Sequence, residues 1–152
     1  MDPTEFDGLC RAAADALGAV ITQNDNEYHL AVDDIEVLLV ADWQKDDEAI
    51  HCYINLGCPS VDERAAICEK LLELNIEGDP LLNVAYAFDI DFERAIFRAR
   101  LPDISELDGE YLAFLVEHFI DQTSHARAIV GDAEFMMPID SSDRLLKVMA
   151  LA

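Results

Sequence analysis

Histidine and cysteine side chains are the groups in this 152-residue chain best suited to bind a metal. The four histidines fall in two predicted strands and one predicted helix. His51 adjoins Cys52, but neighbouring side chains of a strand point to opposite faces. His118 and His125 are seven residues apart, whereas zinc sites use closer pairs and two further ligands. The four histidines, with His29 on a further strand, are scattered over different elements, so the spacing predicts no metal site.

Calcium binding and nucleophilic catalysis are also disfavoured. Asp89, Asp91 and Glu93 alternate like calcium ligands, but the glycine and the distal glutamate of an EF-hand loop are missing. The six glycines form neither a phosphate-binding loop nor a nucleophile elbow. With 32 acidic residues, the presence of a carboxylate pair carries no information. We expect no catalytic residues, no metal and no cofactor, and a protein that is not an enzyme.

Charge and composition narrow the choice of partner. The 10 basic and 32 acidic residues give a formal charge of −22, which repels phosphate groups, so we expect neither nucleic acid nor insertion into a membrane. The longest aliphatic run, residues 37–41, is far shorter than the about 20 residues that cross a bilayer. The cysteines lack CxxC spacing and lie in apolar segments, which is typical of free thiols. No basic region followed by an apolar stretch opens the chain, and we expect a cytoplasmic protein.

Capping signals and alternation organise the first half of the chain. Asp2-Pro3-Thr4-Glu5 combines an N-cap acid, a proline at the first helical position and a glutamate three residues after the cap. This pattern predicts a helix over residues 3–17. From Glu27 to Gly57 apolar residues recur at every second position, which predicts three antiparallel strands with a tight acidic turn at Asp33-Asp34.

The second half is predicted to contain a helix, two strands and a further helix. A capping box that begins at Ser60 predicts a helix over residues 61–76. Two strand candidates, residues 82–89 and 93–101, form a hairpin, and residues 108–127 form a helix that is apolar around most of its girth. The order α-β-β-β-α-β-β-α predicts an α+β fold with an antiparallel, strongly twisted sheet of about five strands and three helices.

Residues 92–101, FERAIFRARL, hold three of the chain's seven arginines. In a strand, Arg94, Ile96, Arg98 and Arg100 share one face, and Phe97 lies on the other among apolar residues that face the helices. We expect the arginines to meet acidic neighbours or a second subunit. Trp43, beside a polar turn, is either a partner anchor or the edge of the core.

Several short motifs resemble a known family. They are the helix segment Leu71-Leu72-Glu73-Leu74-Asn75, the strand with Tyr86 and Phe88, Arg100-Leu101-Pro102, and the acid-capped segment Leu107-Asp108-Gly109-Glu110. Together with the order of elements, the small size and the acidity, they resemble class I type III secretion chaperones, the Tir-chaperone (CesT-like) family, over about residues 5–127. The resemblance implies a non-enzymatic, bacterial cytoplasmic homodimer. It would bind the N-terminal chaperone-binding segment of a secreted effector and deliver it to the export apparatus, with the secretion ATPase as a further candidate partner.

The resemblance also implies roles for particular residues. The helix at residues 61–76 and neighbouring sheet would form the dimer interface, and helix one with exposed sheet would form grooves for the effector. Candidates for the dimer interface are Cys68, Leu71, Leu72 and, from the arginine strand, Arg98. Candidates for partner binding are Leu9, Leu17, Val37, Leu38, Leu39 and Trp43. Each of them has ordinary core packing as an alternative, because one stripe of every helix must face inward.

Two questions of organisation stay open at this point. We expect a chaperone-like domain over residues 1–128 and a C-terminal tail over residues 129–152, which forms either a short docking helix or a loose extension. A regulatory adaptor of the same fold, either YbjN-like or an antiactivator that sequesters a transcription factor, is the alternative function.

Overall fold

The computed structural model describes residues 1–41, 49–78, 83–101 and 104–135, with the backbone alone at residues 104 and 132–135. Within these residues the chain forms four α-helices, six β-strands and one 3-10 turn. In chain order they are α1 (Pro3–Leu17), β1 (Val20–Asn24), β2 (Glu27–Val32), β3 (Ile35–Ala41), β4 (Ile50–Gly57), α2 (Arg64–Ile76), β5 (Val84–Asp89), β6 (Arg94–Leu101), the 3-10 turn (Ile104–Glu106), α3 (Gly109–Gln122) and α4 (Ser124–Phe135).

The predicted α+β class with an antiparallel sheet is confirmed, but the expected numbers of strands and helices are wrong. The described residues contain six strands instead of about five and four helices instead of three. The additional strand is β1, whose sequence VITQN is exposed at four of five positions and so lacks the apolar alternation that marks a strand.

The sheet has the order β1-β2-β3-β4-β6-β5, and every neighbouring pair is antiparallel. Strand β6 therefore lies between β4 and β5, with Tyr53 opposite Arg98 and Ile54 opposite Phe97. The β2–β3 turn uses Asp33 and Asp34 at φ of 48° and 67°, the left-handed pair that closes a tight hairpin and confirms the predicted acidic turn.

One face of the sheet is packed under the helices. Phe97 lies at its centre, with ring centroids 5.3 Å from Tyr86 and 5.6 Å from Phe119 of α3. The strand residues of this face are almost completely buried: Tyr28, Leu30, Val37, Leu39, Ile50, Cys52, Ile54, Ala95, Phe97, Ala99 and Leu101. Alternation along each strand places the other side chains on a second face, which no described helix covers to the same degree.

Helix α1 begins as its sequence predicts. The Asp2 side chain accepts a hydrogen bond from the Glu5 N–H, and the Glu5 side chain accepts one from the Asp2 N–H, each at 2.9 Å. Gly18 ends the helix at φ 63°, a conformation that glycine adopts without steric cost. The predicted bounds of residues 3–17 are confirmed.

Helix α2 begins three residues later than predicted. The Glu63 N–H bonds to the Ser60 carbonyl at 3.2 Å, three residues back, so residues 61–63 form a tight turn before the first α-helical residue, Arg64. A capping signature therefore locates the start of this helix only to within one turn.

The helix predicted over residues 108–127 is divided at Thr123 into α3 and α4. The Thr123 hydroxyl donates to the carbonyls of Phe119 (2.8 Å) and Ile120 (3.0 Å). Arg127 adds a second side-chain donor, because its Nη2 lies 2.8 Å from the Ile120 carbonyl. Side chains thus satisfy the last carbonyls of α3, and such back-bonding by threonine favours a break in the helix.

Helix α4 spans residues 128 and 129, between which we expected the boundary of the domain and the C-terminal tail. It continues to Phe135, and Val130 is fully buried in the core. Residues 136–152 of the expected tail, for which a short docking helix and a loose extension were the alternatives, lie outside the described residues.

Candidate partner-binding surfaces

The described residues contain little that could do chemistry. They hold no group of three or more histidine, cysteine, aspartate or glutamate side chains arranged to bind a metal ion. Burial raises the pKa of the Cys10 and Cys52 thiols to about 12, so neither supplies a thiolate at neutral pH. Surfaces that could hold a partner are the other candidates for a functional site.

A polar cluster fixes α1 on the sheet. The Tyr28 hydroxyl of β2 donates to Asp7 Oδ1 at 2.8 Å, and Arg11 Nε donates to Asp7 Oδ2 at 3.0 Å. These hydrogen bonds hold the pKa of the Asp7 carboxyl below its usual value, while burial raises the pKa of Tyr28 to about 12. The Phe6 and Tyr28 rings pack edge to face at 5.2 Å beside this cluster.

A groove of about 620 Å³ runs between α1 and the beginning of α3. Leu9, Ala12 and Leu107 supply its apolar lining, and Gly109 lies where the two helices come closest. A β-carbon at Gly109 would lie only 3.0 Å from the Ala12 carbonyl carbon, so only glycine permits this approach. The groove is open to solvent, and polar residues such as Glu5 and Asp108 lie beside its apolar lining.

The second face of the sheet forms a recess of about 630 Å³, which we call the open face. It is built from the strand residues that alternate with the core residues: Glu27, Glu36, Leu38, Val40, His51, Tyr53, Asn55, Asp89, Arg94, Ile96, Arg98 and Arg100. This placement confirms the prediction that Arg94, Ile96, Arg98 and Arg100 share one face. Apolar and charged groups are thus mixed across the recess.

The arginines of the open face differ in their surroundings. Arg94 lies 3.6 Å from Glu36 and 3.7 Å from Asp89 and stacks over Phe92 at 5.0 Å. The expected acidic neighbours are therefore present for Arg94. Arg98 is exposed in the middle of β6, opposite Tyr53.

Helix α2 carries apolar side chains on two sides. Ile67 and Leu71 face the core and are 3% exposed, whereas Leu72 is 64% and Ile76 86% exposed. Leu72 and Ile76 are four residues apart and therefore lie on the same side of the helix. Cys68 is half-buried between the two sides. An uncovered apolar stripe of this kind is unusual on a monomer and typical of an interface.

The structure separates the residues that we expected to bind partners. Val37 and Leu39 lie fully buried in the core, and Leu71 joins them. Leu38 lies on the open face, Leu9 lines the α1–α3 groove, and Leu17 packs half-buried against the edge of the core. Leu72 and Arg98 are exposed on different elements, and Trp43 lies outside the described residues.

Other surface residues did not emerge from the sequence. Tyr53 lies on the open face, Leu107 lines the groove, and Ile76 extends the stripe on α2. Alternation from Ile54 along β4 would have placed Tyr53, since it must point away from the core. No sequence signal marks Leu107, because a three-dimensional approach of two helices creates its groove.

A comparison with family models decides the relationship of this chain to known proteins. Residues 14–127 match the model of the Tir chaperone protein (CesT) family, which is more than half of the chain. The chain belongs to the CesT family. This membership confirms the resemblance to type III secretion chaperones, and because the CesT family is non-enzymatic it agrees with the lack of catalytic motifs in the sequence.

Solved structures with a similar fold include two from Pseudomonas aeruginosa. One is a chain of the heterodimeric complex ExoU-SpcU of the type III secretion system, which is 16% identical to the present chain with a TM-score of 0.47. The match covers 74% of the present chain and 82% of the matched chain. The other is a chain of the ExoT-SpcS complex, which is 11% identical with a TM-score of 0.47. This match covers 82% of the present chain and 98% of the matched chain. No curated protein gives a significant sequence match. Among the helices in the described ranges, none has the length and apolar character needed to cross a membrane.

Proposed function

We propose that this CesT-family protein is a homodimeric secretion chaperone of the bacterial cytoplasm. It binds the N-terminal region of a type III effector, keeps that region competent for export and delivers it to the export apparatus, where the secretion ATPase is a candidate recipient. One observation carries the proposal: a single chain leaves apolar surface uncovered on α2, where Leu72 is 64% and Ile76 86% exposed, in addition to the groove between α1 and α3.

The exposed stripe of α2 supports dimerisation. In a two-fold dimer the same patch of both subunits meets, so one helix with an apolar stripe covers its own copy. Leu72 and Ile76 would pack against their equivalents, and Leu71 on the opposite side would stay in the core of its own subunit.

The groove between α1 and α3 and the unpaired edge of β1 support binding of an unfolded client. An extended segment that orders on binding loses chain entropy, and burial of about 1,000–3,000 Å² can offset that loss. The groove offers Leu107 and the small exposed part of Leu9, which is otherwise buried in the core, to apolar side chains. The outer edge of β1 offers backbone hydrogen bonds, since within the described residues no strand pairs with it. The formal charge of −22 keeps such exposed surfaces soluble.

Light scattering on the purified protein and mass spectrometry of co-purifying proteins from the native host test the proposal. We expect a dimer with an effector bound through its N-terminal segment. The double variant Leu72→Asp/Ile76→Asp should be a monomer that remains folded. Ile90→Asp is the control: it adds a charge at another apolar side chain, which is 76% exposed on the β5–β6 turn, and it should stay dimeric.

Two outcomes would contradict the proposal. A wild-type monomer at micromolar concentration would remove the homodimer. Capture of a folded regulator in place of an effector segment would favour the regulatory adaptor of the same fold.

A further inference from the structure

The open face contains a cation, Arg98, that has no partner among the described residues. Arg98 makes no hydrogen bond or ion pair with any residue that the structure describes. The arginines elsewhere differ: Arg11 lies 3.0 Å from Asp7, Arg64 lies 3.2 Å from Glu93, and Arg127 donates to a carbonyl. Among the described residues, Lys70 on α2 likewise makes no hydrogen bond or ion pair, but it lies outside the open face.

Apolar and aromatic side chains lie beside Arg98 in a fixed order. Leu38 of β3 is opposite Tyr53 of β4, and Tyr53 is opposite Arg98 of β6. Val40 extends the apolar row along β3, and Ile96 lies two residues from Arg98 on the same face of β6. Because neighbouring strands are about 4.8 Å apart, the backbones of β3, which carries the apolar row, and β6, which carries Arg98, are separated by about 10 Å across the sheet.

We propose that the open face binds an acidic amphipathic peptide segment of the client. A carboxylate of the segment pairs with Arg98, and its apolar side chains pack on Leu38, Val40 and Tyr53. The inference rests on the proposed chaperone function and adds the chemistry of the segment that the chaperone selects.

Charge complementarity supports this occupant. A basic segment would be attracted almost anywhere on the molecule, whereas an acidic segment finds a favourable site only where a cation remains unpaired. At physiological salt, fields are screened over about 8 Å, so the repulsion from distant carboxylates weakens while the close pair with Arg98 persists. An exposed ion pair alone contributes little to affinity, so the apolar contacts with β3 are needed as well.

The size of the recess also fits a peptide segment. Its volume of about 630 Å³ exceeds what one or two side chains fill. Glu27 and Glu36 lie at the β2–β3 side of the recess and Asp89 at the β5 side, so that negative charge borders it on two sides. A long polyanion such as nucleic acid would meet these carboxylates, whereas a short segment can place one carboxylate on Arg98 alone.

Fluorescence anisotropy with three labelled peptides tests the inference. The first peptide contains leucine, serine and glutamate, the second has lysine in place of every glutamate, and the third has serine in place of every leucine. We expect the first to bind and the third to bind more weakly. Arg98→Glu should weaken binding of the first peptide about five- to tenfold, and Arg98→Lys should retain most of it.

A matched control separates the local effect from net charge. Lys70→Glu changes the net charge by the same amount as Arg98→Glu at an exposed site on α2. It should leave binding of the acidic peptide unchanged, and Arg98→Glu should not weaken binding of the basic peptide. Equal losses in both variants, or no binding of the acidic peptide to the wild type, would overturn the inference. A DNA oligonucleotide that binds more tightly than the acidic peptide, and whose binding depends on Arg98, would also overturn the inference and would indicate a phosphate ligand.

Client capture distinguishes this inference from the chaperone proposal. If the wild type and Arg98→Glu capture the effector equally, the inference about the open face is wrong and the chaperone function stands. If the acidic peptide binds in an Arg98-dependent manner but no secreted client is captured, the open face is a peptide site and the chaperone function is wrong.

Discussion

The side chain of Asn75 bonds to both backbone polar groups of Tyr86. Its Oδ1 accepts from the Tyr86 N–H at 2.6 Å, and its Nδ2 donates to the Tyr86 carbonyl at 3.1 Å. One residue of α2 thus takes the place that a neighbouring strand would occupy at the edge of β5. The contact locks α2 onto the sheet and closes part of an edge that would otherwise be open to strand pairing.

Replacing Asn75 should destabilise the fold. Asn75→Ala leaves two backbone groups of β5 without their partner, and we expect the free energy of unfolding to fall by about 2 kcal/mol. Urea denaturation measures the change. Asn24→Ala on the exposed strand β1 is the control and should change stability by less than about 0.5 kcal/mol. Equal effects of the two substitutions would mean that the Asn75 contact contributes nothing.

Two glycines should respond in opposite directions to substitution by alanine. Gly109→Ala forces α3 away from Ala12 of α1, and such overpacking costs about 1–3 kcal/mol. Gly8 lies inside α1 with no atom within 4 Å of a new β-carbon, so Gly8→Ala should stabilise by up to about 1 kcal/mol. Thermal unfolding compares both. A Gly109→Ala protein as stable as wild type would show that the helices can separate without cost.

The Asp7 cluster should make stability depend on pH on the acid side. The pKa of Asp7 is lower in the folded protein than its ordinary value of 3.8, so the unfolded chain takes up a proton first as the pH falls. The stabilisation by the Asp7 carboxylate is therefore complete above about pH 5 and is lost as the pH drops through the folded-state pKa. Asp7→Asn should thus be less stable than wild type at neutral pH, and the gap should narrow on acidification.

Urea denaturation over a series of pH values measures this gap. Asp15→Asn, on the exposed side of α1, is the control and should give a smaller gap at neutral pH. A gap for Asp7→Asn that stays constant from neutral to acidic pH would contradict the assignment of the stabilisation to the ionised carboxylate.

The four cysteines should differ in their reaction with a thiol reagent. Cys10 and Cys52 are buried with pKa values raised to about 12, so both should react only when the protein opens. Cys58 and Cys68 are partly exposed and should react in the folded state. If α2 forms the dimer interface, the reaction of Cys68 should slow as protein concentration rises, with Cys58 as internal reference. Fast labelling of Cys52 in the native protein would contradict its burial.

The sequence predicts those elements whose signal is local. The capping box at Asp2 and Glu5 and the stop at Gly18 define α1 because their hydrogen bonds lie within one turn. The break at Thr123 was not predicted, since apolar residues continue at helical spacing through it. What divides α3 from α4 is side-chain bonding to the carbonyls of Phe119 and Ile120, and hydrophobic periodicity carries no information about such bonds.

The residues of the candidate surfaces also divide into those that a local pattern predicts and those that depend on contacts between distant segments. Strand alternation separates Leu38 on the open face from Val37 and Leu39 in the core, although the family resemblance placed all three in a groove. The pairing of Tyr53 with Arg98 depends on β6 lying beside β4. That neighbour relation joins strands about 40 residues apart, and no short pattern in the chain predicts it.

The position of β6 in the middle of the sheet delays completion of the sheet during synthesis on the ribosome. Strands β1 to β4 are made first, but the inner edge of β4 finds its partner only when residues 94–101 have emerged. Until then the edge of β4 that will pair with β6 exposes its backbone N–H and C=O groups to solvent, and β5 has no strand with which to pair. A nascent chain that stalls before residue 94 would therefore contain an incomplete sheet with an unpaired strand edge, which is prone to aggregate. A protein of this family thus depends on protection from aggregation during its own synthesis.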